Sequence, residues 1–227
     1  PFLPARDHKR LMDGAKGPNT GGMGSVCPLD DVTPEMMSAF DKDILQPTLN
    51  GLIKEKFDYR GFIFFGVMLT KNGPKLLEYN VRLGDPETQS VLPLMDFDFH
   101  AMCMAIVGGN LKEFGFKWKS GYQVAPVIVS GGYPGDYEKN IPISVNGNML
   151  KLSTAKIFYA GAIAGRRGDS GSDLLTSGGR VLACSAYGTT FKEAWEKAYM
   201  GVSAVKFDKA FFRKDIGLPG AAESGKL

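Results

Sequence analysis

Residues 78–85 read Glu78-Tyr79-Asn80-Val81-Arg82-Leu83-Gly84-Asp85, and the rest of the chain is best understood outward from them. On a strand, successive side chains alternate between faces, so Glu78, Asn80 and Arg82 form a polar row while Leu77, Tyr79 and Val81 form the face expected to join a core. A carboxylate and an amide carbonyl two strand positions apart, roughly 7 Å along the backbone, can serve one or two hard cations that prefer oxygen ligands. Arg82 adds a fixed positive fork. The combination suits a nucleoside triphosphate with a divalent cation, because phosphoryl transfer is catalysed mainly by positioning and charge neutralisation. The same alternation also fits a solvent-facing strand edge with a surface ion pair between Glu78 and Arg82, and the spacing leaves both readings open.

Around this stretch the pattern predicts a hairpin: an aromatic and β-branched run over 61–70, a turn at Lys71-Asn72-Gly73-Pro74, and a second strand over 75–82. Upstream, Thr33, Pro34 and Glu35 are helix-start signals, followed by Met37, Phe40 and Ile44 at helical spacing. Pro47 should kink or restart that helix before Leu49, Leu52 and Ile53. Downstream, 98–107 predicts a buried helix stopped by Gly108-Gly109-Asn110, with His100 packed in it rather than acting as a ligand. Beyond residue 121 the character changes. Short strands are expected over 122–130, 152–164 and 180–187. A final helix follows, with a Thr190/Glu193 capping box and a stripe of Ala194, Trp195, Ala198, Tyr199, Val202 and Val205.

Residues 14–25 hold five glycines and a proline, which predicts loop rather than helix or strand. Within them, Gly17-Pro18-Asn19-Thr20-Gly21-Gly22-Met23-Gly24 offers backbone N–H groups that could form an anion-binding concavity. It matches neither the P-loop nor the dinucleotide fingerprint, and a flexible linker is the alternative. The basic cluster Arg6, His8, Lys9, Arg10 could steer phosphate or be an ordinary solvated face.

Composition limits the remaining choices. The 227 residues are 44% hydrophobic and 22% charged, enough for a real core. With 27 Lys and Arg against 24 Asp and Glu, no global field favours nucleic acid or an anionic membrane. Cys27, Cys103 and Cys184 are too few and too scattered for a disulfide framework or a zinc site, so a soluble protein of a reducing, cytoplasmic compartment is expected. Gly168-Asp169-Ser170-Gly171 imitates a serine-protease nucleophile segment, but His8 and His100 offer no triad context. The polar stretch 165–179 reads as a long loop, and the overlapping Arg167-Gly168-Asp169 as a chance adhesion tripeptide. The prolines at 1 and 4 and the composition of 217–227 read as linkers, suggesting a piece of a longer polypeptide.

Several strings carry a family resemblance: Asp7-His8-Lys9-Arg10, the glycine-rich 17–24, 78–89 ending Asp85-Pro86-Glu87-Thr88-Gln89, Gly132-Tyr133-Pro134-Gly135, and Gly178-Gly179-Arg180-Val181-Leu182. In order and spacing they resemble phosphoribosylamine–glycine ligase (glycinamide ribonucleotide synthetase) from about residue 3 to about 217. The resemblance implies an α+β, ATP-grasp architecture. Residues 1–120 would be the C-terminal lobe of the catalytic domain, 121–217 a β-rich C-terminal domain, and 218–227 a linker or tail. The N-terminal domain and the ATP lid would be missing.

It further implies that Glu78 and Asn80 hold Mg²⁺ or Mn²⁺, and that Arg82 is the electrophilic catalytic clamp on ATP. Asp7, Lys9, Asn19, Thr20, Gly21, Gly22, Asp85 and Glu87 would bind or orient glycine and 5-phosphoribosylamine. The glycine-rich insertion at 168–173 is unusual for the family, and the tail resembles the linker of multifunctional purine enzymes. Another ATP-grasp carboxylate–amine ligase and a non-catalytic module of this fold are the alternatives.

Overall fold

The computed structural model describes residues 1–165 and 173–221. The protease-like and adhesion-like strings, most of the 168–173 insertion and the end of the tail lie outside the described residues. In chain order the first elements are β1 (Arg6–Asp7), β2 (Arg10–Met12), β3 (Lys16–Asn19) and β4 (Gly24–Cys27). Then come α1 (Pro34–Phe40), a π-turn (Asp41–Leu45), α2 (Gln46–Lys54) and the hairpin β5 (Phe64–Thr70) and β6 (Gly73–Asn80). After α3 (Thr88–Val91) and α4 (Phe99–Gly108) follow β7 (Tyr122–Val129), β8 (Ser144–Val145), α5 (Gly147–Ser153), β9 (Lys156–Tyr159), β10 (Ala162–Ala164), β11 (Leu174–Thr176), β12 (Arg180–Gly188), α6 (Phe191–Ser203) and β13 (Val205–Lys206). The fold is α+β, with antiparallel strand pairs throughout the described residues.

Packing divides the chain into two compact units that interleave in sequence. Unit 1 comprises Pro1–Pro28, Asp85–Leu94 and the described residues from Ser120 onward; unit 2 comprises Leu29–Gly84 and Met95–Lys119. The return to unit 1 at Ser120 falls where the composition changes, and residues 1–28 and 85–94 pack with the chain that follows it. β1 and β4 pair into the same sheet as β7 and β12.

Unit 1 is built on a five-stranded sheet of order β1-β4-β7-β12-β9. β7 and β12 are buried along nearly their whole length. Ile128, Val181, Leu182, Cys184, Val202 and Val205 form an aliphatic cluster there. α6 lays Ala194, Ala198, Gly201 and Val202 into the core. Its start is capped as expected, Thr190 Oγ1 accepting the Glu193 N–H at 3.2 Å, but the Glu193 carboxylate turns back to the Thr189 N–H at 2.7 Å instead of closing a box on Thr190.

Four expectations in this unit fail. Residues 14–25 are not all loop, because Lys16–Asn19 pairs with β2 and Gly24–Cys27 is a buried central strand; partners distant in sequence override glycine's poor propensity. The stretch 152–164 is not one strand. Asn146 Oδ1 caps α5 by accepting the Met149 N–H at 3.1 Å, Thr154 ends it in the left-handed region, and the turn at Gly161 separates β9 from β10. In 165–179, Leu174–Thr176 pairs with β10. The chain from 217 to 221 is not a linker either, since Ala221 is buried and its carbonyl is held by Arg213 at 2.6 Å.

Unit 2 holds the hairpin and α1, α2 and α4. Thr33 caps α1 with Pro34 at its first position. Pro47 has no N–H to donate, and just before it the backbone widens into the π-turn; Thr48 Oγ1 donates to the Ile44 carbonyl at 2.7 Å. Edge-to-face aromatic pairs knit the unit: Phe40–Phe65, Phe65–Tyr79, and Phe97 with Phe114, Phe116 and Trp118. Leu77, Tyr79 and Val81 are not buried as expected; Val81 is 75% exposed. Alternation correctly separates two faces but cannot say whether anything covers them. Likewise α4 buries only Met102 and Ala105, while Met104, Val107 and His100 are exposed. No helix among the described residues is long and apolar enough to cross a membrane.

Candidate active site

In unit 1 the site begins with alternation at the β1 edge. His8 turns into the core, where Nδ1 contacts the Gly24 carbonyl at 3.2 Å and Nε2 accepts the Gly217 N–H at 3.0 Å. Burial there pushes the imidazole down to about 4, so it is neutral. Its neighbours Asp7 and Lys9 meet instead on the opposite side, Oδ2 to Nζ at 2.5 Å. The Asp7 side chain is 6% exposed, and its Oδ1 has no hydrogen-bond partner among the described residues. Burial, and secondly the charge of the buried Glu87, push the Asp7 carboxyl up to about 7, with Lys9 acting in opposition.

The glycine-rich loop forms the wall beside this carboxylate. Gly22 has φ +121°, and a Cβ on it would stand 2.5 Å from Pro86 Cδ and 2.6 Å from Asp7 Oδ1. The loop is an ordered bend rather than a linker. Thr20 donates its N–H and its hydroxyl to the Lys9 carbonyl, both at 2.8 Å; the Gly21 N–H goes to the Tyr133 hydroxyl at 2.7 Å, the Gly22 N–H to Thr20 Oγ1 at 3.0 Å, and the Met23 N–H to the His8 carbonyl at 2.9 Å. The amides of residues 20–23 are therefore spent inside the protein rather than turned outward to an anion. The loop works by letting backbone and carboxylate come close.

Asp85 and Glu87 reach the same place through α3's entry. Ser25 Oγ donates to the Pro86 carbonyl at 2.7 Å and pins that segment to β4. Asp85 Oδ2 receives Arg180 at 2.7 Å, and the Arg180 guanidinium also reaches the Gly21 carbonyl at 2.8 Å. Arg180 and Tyr133 were given no role by sequence reasoning, although both lie in the recognised strings. A sharper signal was Gly179, whose missing Cβ leaves room for the Tyr133 ring. Asn19 sits exposed on β3 opposite Arg10.

The second group, Glu78, Asn80 and Arg82, is in unit 2. Gly66 lies opposite Glu78, and a Cβ there would come within 2.7 Å of Glu78 Cγ, so glycine gives the acidic side chain its path across the hairpin. The register then slips, Val67 facing Leu76, which leaves Leu77 as the extra residue of a bulge. Arg82, past the strand's end, points its fork at Asn80 Oδ1 (3.3 Å) and the Leu83 carbonyl (2.8 Å), not into a pair with Glu78. No group of three or more acidic, His or Cys side chains suited to a metal occurs among the described residues. Two oxygen donors, one charged and one neutral, nonetheless fit a cation such as Mg²⁺, which completes its shell with phosphate and water oxygens.

The chain thus has two chemical groups: a glycine-walled buried carboxylate with its lysine and arginine partners, and an oxygen-donor pair beside an arginine. The profile of the phosphoribosylglycinamide synthetase ATP-grasp (A) domain matches residues 1–88, and that of the phosphoribosylglycinamide synthetase C domain matches 123–219. The crystal structure of phosphoribosylamine–glycine ligase from Thermotoga maritima superposes with a TM-score of 0.81 at 38% identity, covering 95% of this chain and 51% of that one. Among curated proteins, the phosphoribosylamine–glycine ligase of Clostridium acetobutylicum is 46% identical over 96% of this chain and 50% of its own length. The bifunctional purine biosynthetic protein ADE1 of Schizosaccharomyces pombe is 45% identical over 94% of this chain and 26% of its own. The architecture is that of an ATP-grasp protein. More narrowly, the chain belongs to the phosphoribosylglycinamide synthetase family, and it spans about half the length of the single-function relative.

Proposed function

We propose that this chain is part of an ATP-dependent ligase that joins glycine to 5-phosphoribosylamine in purine biosynthesis, giving glycinamide ribonucleotide, ADP and phosphate through glycyl phosphate. In this reading 1–120 belongs to the catalytic lobe, 121–217 is the C-terminal domain and 218–227 a following segment, all working in the cytoplasm. Glu78 and Asn80 hold a divalent cation, Mg²⁺ or Mn²⁺, which would supply charge neutralisation on the phosphates of ATP. Arg82 offsets charge on the transferring group.

The observation that carries the reading is Asp7: a buried carboxylate with one unpartnered oxygen, walled by Gly22 and Pro86 and poised near neutral pH. Such a group suits an amine substrate. Oδ1 accepts an N–H from the amine and can take the proton it loses on attacking the acyl phosphate, while Lys9 holds the other oxygen. Asn19, Thr20, Gly21, Gly22, Asp85 and Glu87 shape and orient the substrates around it. An ATP-grasp site must enclose ATP and exclude water, so the 227 residues alone should be inactive without the rest of the catalytic lobe and the ATP lid.

The test is ADP release by the full-length protein with Mg²⁺ and ATP, omitting glycine and 5-phosphoribosylamine in turn. Release should require both. Glu78→Gln should lower metal-dependent turnover by about 100-fold, since a charged oxygen ligand is lost. Release with a different acid and amine would assign another ligase, and Glu78→Gln without effect would point to a non-catalytic role for this region.

A further inference from the structure

Arg213 is the largest fully buried side chain among the described residues. A buried guanidinium is costly unless its donors are all used productively, and here the partners have a pattern. Nε and one terminal nitrogen grip Asp215 at 2.8 and 2.9 Å; the other terminal nitrogen donates to the Arg10 carbonyl at 3.0 Å, on β2; and the Ala221 carbonyl accepts at 2.6 Å. The bonds continue on both sides. Asp215 Oδ2 accepts the Gly14 N–H at 2.7 Å, and Asp13 Oδ1 accepts the Lys214 N–H at 2.8 Å, so the turn between β2 and β3 is tied twice to the same segment. The Tyr199 hydroxyl donates to the Arg213 carbonyl at 2.7 Å and accepts the Ile216 N–H at 3.1 Å, anchoring the segment to α6.

The far end of this strap lies directly behind the site. Gly217 donates to His8 Nε2, and Ile216, fully buried, packs against Gly24, where a Cβ would stand 3.1 Å from its Cγ1. His8 is the residue between Asp7 and Lys9, and Gly24 closes the glycine-rich loop. The strap is thus fixed to α6 at one side and to His8, Gly24 and the β2–β3 turn at the other, and His8 is the chain neighbour of Asp7.

We propose that Arg213 is a positioning residue, which through the strap 213–217 holds His8 and the β2–β3 turn and so aligns Asp7, Lys9 and the glycine-rich loop for the amine substrate. This rests on the functional reading above for the identity of the substrate, but not for the mechanical claim. Two variants of the full-length protein test it: Arg213→Gln, and the milder Asp13→Ala, which removes the bond to the Lys214 N–H and the contact to Asp215 and keeps the protein folded if the first does not. Amide hydrogen exchange and steady-state kinetics are the readouts.

Loss of several strap bonds in Arg213→Gln should speed exchange of the Thr20 and Met23 amides by at least about tenfold, and loss of the Asp13 contacts in Asp13→Ala by about fivefold, with the amides of β7 and β12 unchanged. The KM for 5-phosphoribosylamine should rise by at least about tenfold in Arg213→Gln while the KM for ATP stays within about twofold. Unchanged loop exchange in every variant that folds, or acceleration spread equally over β7 and β12, overturns the proposal, as does an unaltered KM with loosened loops. If the unmodified protein turns over neither substrate, the functional reading fails, while the exchange result still decides whether the strap holds the loop.

Discussion

The two units stabilise themselves by different means. Unit 1 has an aliphatic interior: β7 and β12 bury side chains on both faces, and α6 and α3 cover the sheet. In unit 2 only Ile44, Pro74, Met102 and Ala105 are buried apolar side chains among the described residues, and its coherence comes from aromatic edges in half-exposed clusters. The candidate residues differ in the same way. Asp7, Gly22 and Glu87 are confined, and their geometry depends on close packing, whereas Glu78 and Arg82 stand on an exposed hairpin. Function placed in a dense interior is sensitive to shape; function placed on a surface strand is sensitive only to the identity of the donor atoms.

This contrast can be broken at four points, in falling order of effect. Gly22→Ala should be the most damaging change, because its Cβ would overlap both Pro86 and Asp7 in a backbone region unfavourable to alanine. Activity should fall at least about 1,000-fold with a stability loss of roughly 3 kcal/mol, read by ADP release and denaturant unfolding. Ile128→Ala removes the centre of the unit 1 cluster and should cost about 3–4 kcal/mol by denaturant unfolding.

Asp7→Asn should act through pH. A carboxyl held at about 7 keeps its proton in the folded state while the unfolded chain loses it from about 4, so Asp7 erodes stability as pH rises from 4 to 7. His8, held at about 4 against 6.5 unfolded, does the opposite: its contribution is complete above 6.5 and is lost as pH falls towards 4. The two slopes oppose one another over 4 to 6.5. Asp7→Asn should therefore raise the Tm at pH 8 and expose a steeper loss of stability on acidification; a flatter acid limb would sink the paired assignment. Val81→Ser, on the exposed face of unit 2, should change stability by less than about 0.5 kcal/mol by the same unfolding measurement. A cost near that of Ile128→Ala would show that unit 2 has an interior after all.

Local signals in the sequence were readable where the structure uses local physics. The Thr33–Pro34 start, the disturbance at Pro47, the hairpin over 61–82 and the Asp98 and Gly109 ends of α4 all follow from propensity and capping. Failures share one cause. Gly24–Cys27 became a central strand because β1 and β7 flank it, Ala221 was buried because Arg213 reaches it, and Val81 stayed exposed because alternation names a face without naming its cover. For the site, the motif strings marked Asp7, Gly22, Asp85 and the Glu78 row, but the Arg180 and Tyr133 contacts cross more than a hundred residues and Arg213 looks in sequence like any surface arginine.

The order of strands in unit 1 also has a consequence for how the protein is made. β1 and β4, with Asp7 and the glycine-rich loop, leave the ribosome before their partners: β7 emerges about a hundred residues after β4 and the strap that backs His8 later still. At ~5–20 residues per second, synthesis from residue 28 to residue 217 takes roughly 10 to 40 s. Until β7 emerges, Met23, Val26 and Cys27, wholly or almost wholly enclosed in the finished fold, lack the strand that flanks β4. A nascent chain stalled before residue 213 thus carries every residue of the glycine-rich loop without the strap that stands behind it.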